Sequence, residues 1–397
     1  MCPELAGTAR EILMADGSIA GNRYQDYAHI GPDTLGGKLL RRSWQPVIVG
    51  DDLEAGKPRR VKLLGEYFTA YRGEDGTANI VADECPHRLT KLSLGWVEGN
   101  CIRCFYHGWM FDGEGHCVEQ PAEKESFKDK VCIKGYPVRE YLGLIFAYFG
   151  EGEAPPFPLF PEIDVEKDTV LYNSHPVPCN FFQRIENDLD EVHLHFVHRV
   201  GTSEIGLNEL PEIEVSETEY GIHRRGRRSN DGTNVDRTGR IFMPNSMMVI
   251  TPGRAARPEW ILHLAWRVPV DDEEMLSFIV TTKKGGGGGL ARRPHADPDP
   301  MYYTQEILAG RMRVQDIDPD YSGLFNVQDN IALSGQGRIV DRSRERLGQS
   351  DKGIILMRKL WEREMRAISE GGEVKDWRRP PENLLEESDK EVQFAYS

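Results

Sequence analysis

Four residues in two short segments carry the most specific chemical signal of this chain. Cys85-Pro86-His87 is followed, after sixteen intervening residues, by Cys104-Phe105-Tyr106-His107. Each segment offers one thiolate and one imidazole. On two facing loops they grip a [2Fe–2S] cluster with both Cys on one iron and both His on the other. Neutral imidazole donates less charge than thiolate, so such a centre has a higher potential than an all-Cys ferredoxin cluster. Gly108-Trp109 follows the second segment. The small residue lets the loop approach the cluster and the large one covers it. Zinc is the rival occupant, because Cys101-x-x-Cys104 is itself a zinc-type spacing. A zinc site built on Cys101 leaves His107 without a role and needs a fourth ligand from elsewhere.

Such a cluster moves one electron at a time, so a receiver is expected. Between Glu186 and His198 lie four acids, the amide of Asn187 and three His. Two His and one carboxylate on one side of a ferrous ion leave positions open for O2 and substrate. At roughly 100° per residue, Glu191, His195 and His198 fall on one helical stripe. Asp190 and His193 are neighbours at i and i+3. Spacing alone slightly favours the Glu191/His195/His198 set. The bland rival is a solvated acidic helix with incidental His.

The elements that must position these groups fit two domains after an arm at 1–36. From 37 to 155, β-rich runs such as Arg60–Leu64, Tyr67–Tyr71 and Leu144–Phe149 alternate with Gly-containing turns. That pattern predicts a small antiparallel β domain. Pro155-Pro156-Phe157-Pro158 marks a boundary. The second domain, 156–397, opens with a helix from Asn180 to about Val200. Strands follow between 211 and 282, and a last helix from Asp351 to about Ile368 has Asp351 as its cap. Five consecutive glycines, Gly285 to Gly289, read equally as an active-site lid or a plain connector.

With 397 residues, the core is large enough that metal is not needed merely to hold the fold. A net charge of −15 argues against nucleic acid and against anionic membranes as partners. No run of eighteen apolar residues and no hydrophobic signal core is present, which points to the cytoplasm. Of the seven Cys, five lie outside the cluster motif without regular spacing, as expected for reduced thiols.

With both motifs in view, the chain resembles the oxygenase (alpha) subunit of Rieske non-haem iron oxygenases. The family iron motif D-x-x-H-x-x-x-x-H, preceded by Asn, reads here Asn187-x-x-Asp190-x-x-His193-x-x-x-x-His198. The resemblance implies His193 and His198 as iron ligands, with a break or widening of the helix between them and His195 as a bystander. A downstream Asp completes the set. Asn326-Val327-Gln328-Asp329-Asn330 offers Asp329, with Asp341 as runner-up. Leu39-Leu40-Arg41-Arg42-Ser43-Trp44-Gln45-Pro46 and Gly335-Gln336-Gly337-Arg338 look like the phthalate 4,5-dioxygenase branch. The implied fold is α+β: a Rieske β domain, then a larger domain with an antiparallel sheet and helices around a mononuclear iron. The family also implies a homotrimer or stacked trimers. Electrons pass from the cluster of one subunit to the iron of its neighbour, with Asp190 bridging His107 and His193.

These features predict a terminal oxygenase that uses O2 and NAD(P)H-derived electrons. A separate ferredoxin or flavin reductase must deliver them, since no G-x-G-x-x-G follows a strand. The resemblance favours aromatic acids, including lignin-derived methoxylated biaryls, with O-demethylation or monohydroxylation ahead of cis-dihydroxylation. A Rieske electron-transfer protein without oxygen chemistry is the rival of a different class, and the long second domain speaks against it. A carboxylate substrate would need a cation. Arg59-Arg60, Arg224-Arg225 with Arg227-Arg228, and Arg292-Arg293 are candidates, and strand alternation turns only half of the middle run inward.

Overall fold

Short β-branched and aromatic runs separated by tight turns build the first domain from hairpins. The computed structural model describes residues 23–200, 209–230, 233–251 and 261–385. Residues 1–22 of the arm, with Cys2, lie outside the described residues. Helix α1 (Leu35–Arg41) leads into β1 (Trp44–Val49), β2 (Arg59–Leu63), β3 (Glu66–Arg72) and β4 (Ala78–Ala82). Then come β5 (Trp96–Glu98), β6 (Cys101–Arg103), β7 (Met110–Phe111), β8 (Cys117–Glu119), β9 (Gly135–Tyr136), β10 (Val138–Tyr141) and β11 (Leu144–Tyr148). They form three small sheets in the orders β1-β11-β10, β2-β3-β4-β9 and β5-β6-β7-β8, all antiparallel.

The second domain is α+β. It runs β12 (Thr169–Val177), α2 (Phe181–Leu189), α3 (His193–Phe196), β13 (Glu212–Glu217), β14 (Gly221–Asn230), β15 (Thr233–Phe242) and β16 (Ser246–Thr251). It continues with β17 (Ile261–Pro269), β18 (Met275–Lys283), β19 (Leu290–Arg292), α4 (Pro300–Leu308), α5 (Leu324–Ser334) and α6 (Lys352–Glu370). Eight strands form one sheet, β13-β14-β15-β16-β17-β18-β12-β19, antiparallel except for the parallel edge pair β12–β19.

Alternation gives this sheet two unlike faces. Along β17, Leu262, Leu264, Trp266 and Val268 are buried on one face, and Ile261, His263, Ala265 and Arg267 lie on the other. The first face packs on the β domain. Trp266 meets Phe146 of β11 with ring centroids 5.1 Å apart. Gln45 of β1 and Asn245 exchange amide hydrogen bonds at 2.8 and 3.2 Å. One apolar core runs through both domains. Each buried Leu or Phe in it contributes about 1.5–3 kcal/mol relative to exposure, so burial rather than the Pro-rich linker holds the domains together. The second face receives α2, whose Asp188 is gripped by Arg267.

Three local expectations change. The helix read from Asn180 to Val200 breaks at Asp190. Asp351 precedes α6 but its side chain makes no cap; it accepts the Gly348 N–H at 2.6 Å instead. The five-glycine run is a pinned connector. The N–H groups of Gly287 and Gly289 donate to Lys167 O and Val165 O at 3.1 and 2.9 Å. No described helix is long and apolar enough to cross a membrane.

Candidate functional site

The loop after β4 carries Cys85 and His87, and the loop between β6 and β7 carries Cys104 and His107. Both are closed by their own backbone. Cys85 N–H donates to Thr90 O at 2.9 Å and Cys104 N–H to Trp109 O at 2.8 Å. Gly108 adopts φ 77°, and a Cβ there would lie 3.3 Å from Pro121, so the small residue is required twice over. Arg103 braces the second loop. It donates to Gly108 O at 2.8 Å and pairs with Glu98 and Glu119 at 2.8 and 2.7 Å. Buried Asp83 anchors the first, accepting from Thr69, Ser93 and Arg60 at 2.7 Å each.

The Cys85 and Cys104 thiols lie together in the interior. The His87 and His107 rings sit 4.4 Å apart, and Trp109 stacks on His87 at 4.6 Å. His87 Nδ1 is buried without a hydrogen-bond partner. Leaving such an atom unsatisfied costs about 1–3 kcal/mol, which a metal bond removes. Two thiols on one side and two imidazoles on the other fit a [2Fe–2S] cluster. Cys101 sits on β6 opposite Glu98, outside the loop pair, so the zinc spacing is not used.

The second constellation forms where α2 stops. Asp190 turns to extended backbone, ψ 114°. Its Oδ1 accepts the N–H groups of Val192 and His193 at 2.8 and 3.2 Å, capping α3. The chain thus breaks just ahead of His193, and α3 ends again at Phe196, so the expected break between the two His is present as well. The turn after α3 brings His198 back, and α5 supplies Asp329. Asp329 Oδ1 is 3.1 Å from His198 Nε2 and 3.8 Å from His193 Nε2. One ligand atom from each of the three lies within 4.8 Å of the others.

Both imidazoles are oriented from behind. His193 Nδ1 donates to the Asp190 backbone oxygen at 2.6 Å, and His198 Nδ1 to Gln328 Oε1 at 2.8 Å. Each Nε2 then turns a lone pair toward Asp329, whose Oδ1 is buried and accepts no hydrogen bond. Lone pairs facing a carboxylate oxygen at these distances repel unless a cation sits among them, so the donor set fits a metal ion. Burial holds His193 below the usual imidazole range, in the neutral form a metal requires. Burial pushes Asp329 up, but the adjoining Arg184 guanidinium, the largest opposing charge, keeps the carboxylate below its usual range.

The helical-stripe alternative is not assembled. Glu191 is buried under Arg224, Arg228 and Arg237. His195 packs its ring on Phe196. Asp341 caps a short turn through Ser343, at 2.6 Å from its Oγ, and is absent from the His–His–Asp group. Asn187 accepts from Arg184. Sequence reasoning missed Arg184 and Gln328. Gln328 is the neighbour of Asp329, and Arg184 lies at i−3 from Asn187 and i−4 from Asp188, the spacings that meet on a helix. A cleft of about 1050 Å³ between Trp44, Tyr148, Pro155 and Trp377 holds none of these ligands.

Comparison with known proteins identifies the whole. Residues 43–141 match the Rieske [2Fe-2S] domain family. Over 371 residues the chain is 36% identical to the 5,5'-dehydrodivanillate O-demethylase oxygenase subunit of Sphingobium sp., covering 89% of this chain and 82% of that one. The chain is a Rieske oxygenase alpha subunit. It is also 27% identical over 371 residues to the phthalate 4,5-dioxygenase oxygenase subunit of Pseudomonas putida, covering 82% and 81% of the two chains. The solved dicamba monooxygenase bound to dicamba shares the fold of this Rieske oxygenase, with a TM-score of 0.66 at 19% identity over 84% of this chain and 99% of that one. A Rieske oxygenase carries a [2Fe–2S] cluster and a mononuclear iron, receives electrons from reductase or ferredoxin partners, and oligomerises.

Proposed function

We propose that this terminal oxygenase O-demethylates or monohydroxylates an aromatic acid, with a lignin-derived methoxylated aromatic as substrate class. The observation that carries the reading is the His193/His198/Asp329 group beside a half-open sheet face, in a chain similar to an O-demethylase subunit over most of its length. His193, His198 and Asp329 would hold the iron, and Cys85, Cys104, His87 and His107 the cluster. Iron in a two-His, one-carboxylate site supplies O2-dependent oxidation of a substrate held at its open positions. For a methyl ether the balance is ArOCH3 + O2 + 2e⁻ + 2H⁺ → ArOH + CH2O + H2O. The methyl C–H gains oxygen, and the resulting hemiacetal breaks its C–O bond to release formaldehyde. cis-Dihydroxylation is the alternative, favoured by the similarity to the phthalate dioxygenase subunit.

The protein's own residues prepare this step. The Asp190 backbone oxygen and Gln328 fix the two ring tautomers. Asp190 Oδ2 lies beyond hydrogen-bond reach of His193 Nδ1, at 3.9 Å, and the side chain is part-exposed. In this reading that carboxylate would accept the N–H of His107 from a neighbouring copy. Exposed apolar side chains crowd both ends of such a contact: Leu89, Leu94, Trp96, Phe105 and Tyr106 on or beside the cluster loops, and Phe196 and Phe325 near the iron ligands. Patches of that kind mark association surfaces. They support a homotrimer or stacked trimers, with Asp190 as the bridge. A ferredoxin or flavin reductase fed by cytoplasmic NAD(P)H would supply the electrons, and the division between domains falls near residue 155.

The test is turnover of a panel of methoxylated and unmethoxylated benzoates and biaryl acids with a surrogate reductase, following O2 uptake and formaldehyde. One formaldehyde per O2 is expected for a methoxylated acid. A cis-diol product would establish the alternative. Turnover confined to neutral substrates would reject the aromatic-acid reading.

A further inference from the structure

The face of the large sheet that lies against the iron site is less covered than its reverse. On the reverse, Val170, Leu262, Leu264 and Val280 are fully buried. On the near face, Leu171, Asn173, His175, Ile261, His263 and Ile279 all remain partly exposed. Register places them in adjacent rows: Asn173 and Ile279 with buried Ala265 in one, Leu171 and His263 with buried Thr281 in the next. The charges of Asp329 and Arg184 both act on His175, so this face adjoins the ligand group. A part-open floor of aliphatic side chains with a few polar groups is the make-up of a small-molecule pocket.

Among the described residues, six arginines lie on or over this face, and five have counter-ions. Arg224, Arg228 and Arg237 converge on Glu191. Arg267 grips both oxygens of Asp188 at 2.7 and 2.8 Å, and Arg184 meets Asp329 at 3.1 Å. Arg293 differs. Its backbone N–H donates to Tyr172 O at 2.8 Å, which continues the β19 edge beside β12. Arg292, one residue earlier, turns to the reverse side and pairs with Asp52 at 2.5 Å. Arg293 therefore falls on the near face, and its charge acts on both His175 and His263. Its side chain is exposed, at the rim of this face, and makes no hydrogen bond or ion pair among the described residues.

Burial first, then the arginine charges, bring His175 down to about 3 and His263 to about 4. Neither imidazole is a cation at neutral pH, so neither competes with Arg293 for an anion. Each is instead a neutral hydrogen-bonding group at the pocket floor.

We propose that Arg293 is the specificity-determining residue that takes the substrate carboxylate, while the aromatic ring lies over Leu171 and Ile279. A guanidinium binds a carboxylate through two parallel N–H groups, which fixes the orientation of the ring as well as its charge. His175 and His263 then face ring hydroxyl or ether oxygens. The inference rests on the aromatic-acid reading and adds the residue that enforces it.

The experiment compares 3-methoxybenzoate and 4-hydroxy-3-methoxybenzoate with their primary amides, using holoenzyme and surrogate reductase, in wild type, Arg293→Gln and Arg293→Lys. Wild type should prefer the acids by at least about tenfold in kcat/KM, the equivalent of 1.4 kcal/mol. Arg293→Gln should erase that preference by raising KM for the acids, with the amides unchanged. Arg293→Lys should retain part of it, because the charge stays and the fork is lost. Iron content and the cluster spectrum of Arg293→Gln should match wild type, which separates recognition from folding. Acids still preferred by Arg293→Gln would overturn this inference while leaving the aromatic-acid reading intact. No acid preference in wild type would overturn both.

Discussion

Arg184 lies against the outer oxygen of Asp329, its Nη1 3.1 Å from Oδ2, while Oδ1 of the same carboxylate faces His198 Nε2 at 3.1 Å. The guanidinium occupies one oxygen and leaves the other to the metal. Arg184 also donates to Asn187 and approaches Asp188 at 3.8 Å. Asp188 is held in turn by Arg267, which reaches Ser277 on β18. The direction of Asp329 on α5 is thus set by a buried polar chain running through α2 to the sheet.

Arg184→Met should therefore lower iron affinity and turnover, each about ten- to a hundredfold, the usual cost of removing a group that orients a metal ligand. Arg184→Lys should recover part of the loss, since one ammonium keeps the charge but cannot span Asp329 and Asn187 together. Iron titration of apoprotein, with the cluster spectrum as a folding control, measures this. Wild-type iron affinity in Arg184→Met would show that Asp329 needs no partner.

Three His lie within six residues, and the geometry distinguishes them. His193→Ala and His198→Ala should each lose the mononuclear iron and keep the cluster spectrum. His195→Ala should keep both, because its ring packs on Phe196 and stands apart from the His–His–Asp group. Metal analysis per chain, before and after the substitutions, is the check. Iron loss in His195→Ala alone would restore the helical-stripe assignment.

Much of this was legible in the chain because it rests on local spacing. The two Cys/His segments sit on turns that their own Gly108 and backbone hydrogen bonds define. β17 announces itself by the polar His263 and Arg267 set among apolar neighbours. Local spacing could not reveal the break at Asp190, because it depends on a carboxylate choosing two backbone N–H groups over continued helix. Helical periodicity favoured Glu191 for the same reason: a continuous helix was assumed where none exists. The partners of Glu191 lie on β14 and β15, and that of Asp329 lies on α2. Contacts between elements so distant in sequence leave no periodic trace. Half of the Arg224–Arg228 run did turn inward as alternation requires, Arg224 and Arg228 being buried. They meet Glu191 instead of a substrate.

Glu191 supports a stability prediction. Burial raises its carboxyl, but Arg224, Arg237 and Arg228 pull it further the other way, to about 2. An unfolded Glu titrates near about 4.3. The folded form binds its proton less readily, so this stabilisation is complete above about pH 4.3 and is lost as pH falls toward 2. Glu191→Gln leaves three buried guanidiniums without their anion and should cost about 3–5 kcal/mol at pH 7. Its stability should also vary less than wild type across that acid window. Denaturant melts at pH 7, 4.5 and 3 test both, and an unchanged midpoint at pH 7 would mean that the arginines have another counter-ion.

Asp190 joins role and architecture. One carboxylate oxygen accepts the N–H groups at the start of α3, its backbone oxygen orients His193, and the side chain remains part-exposed. Asp190→Asn keeps the size of the side chain. Its amide oxygen can still accept the Val192 and His193 N–H groups, so α3 and the iron ligands should hold. Its NH2 group replaces Oδ2 and cannot accept an imidazole N–H from the cluster of a neighbouring copy. Iron occupancy should therefore stay substantial and the cluster should still be reduced, while turnover collapses. In a single turnover of the reduced protein with substrate, oxidation of the cluster by O2 should slow by orders of magnitude. Loss of mononuclear iron in Asp190→Asn would make Asp190 a ligand and displace Asp329 from that role. Wild-type turnover would remove Asp190 from the electron path altogether.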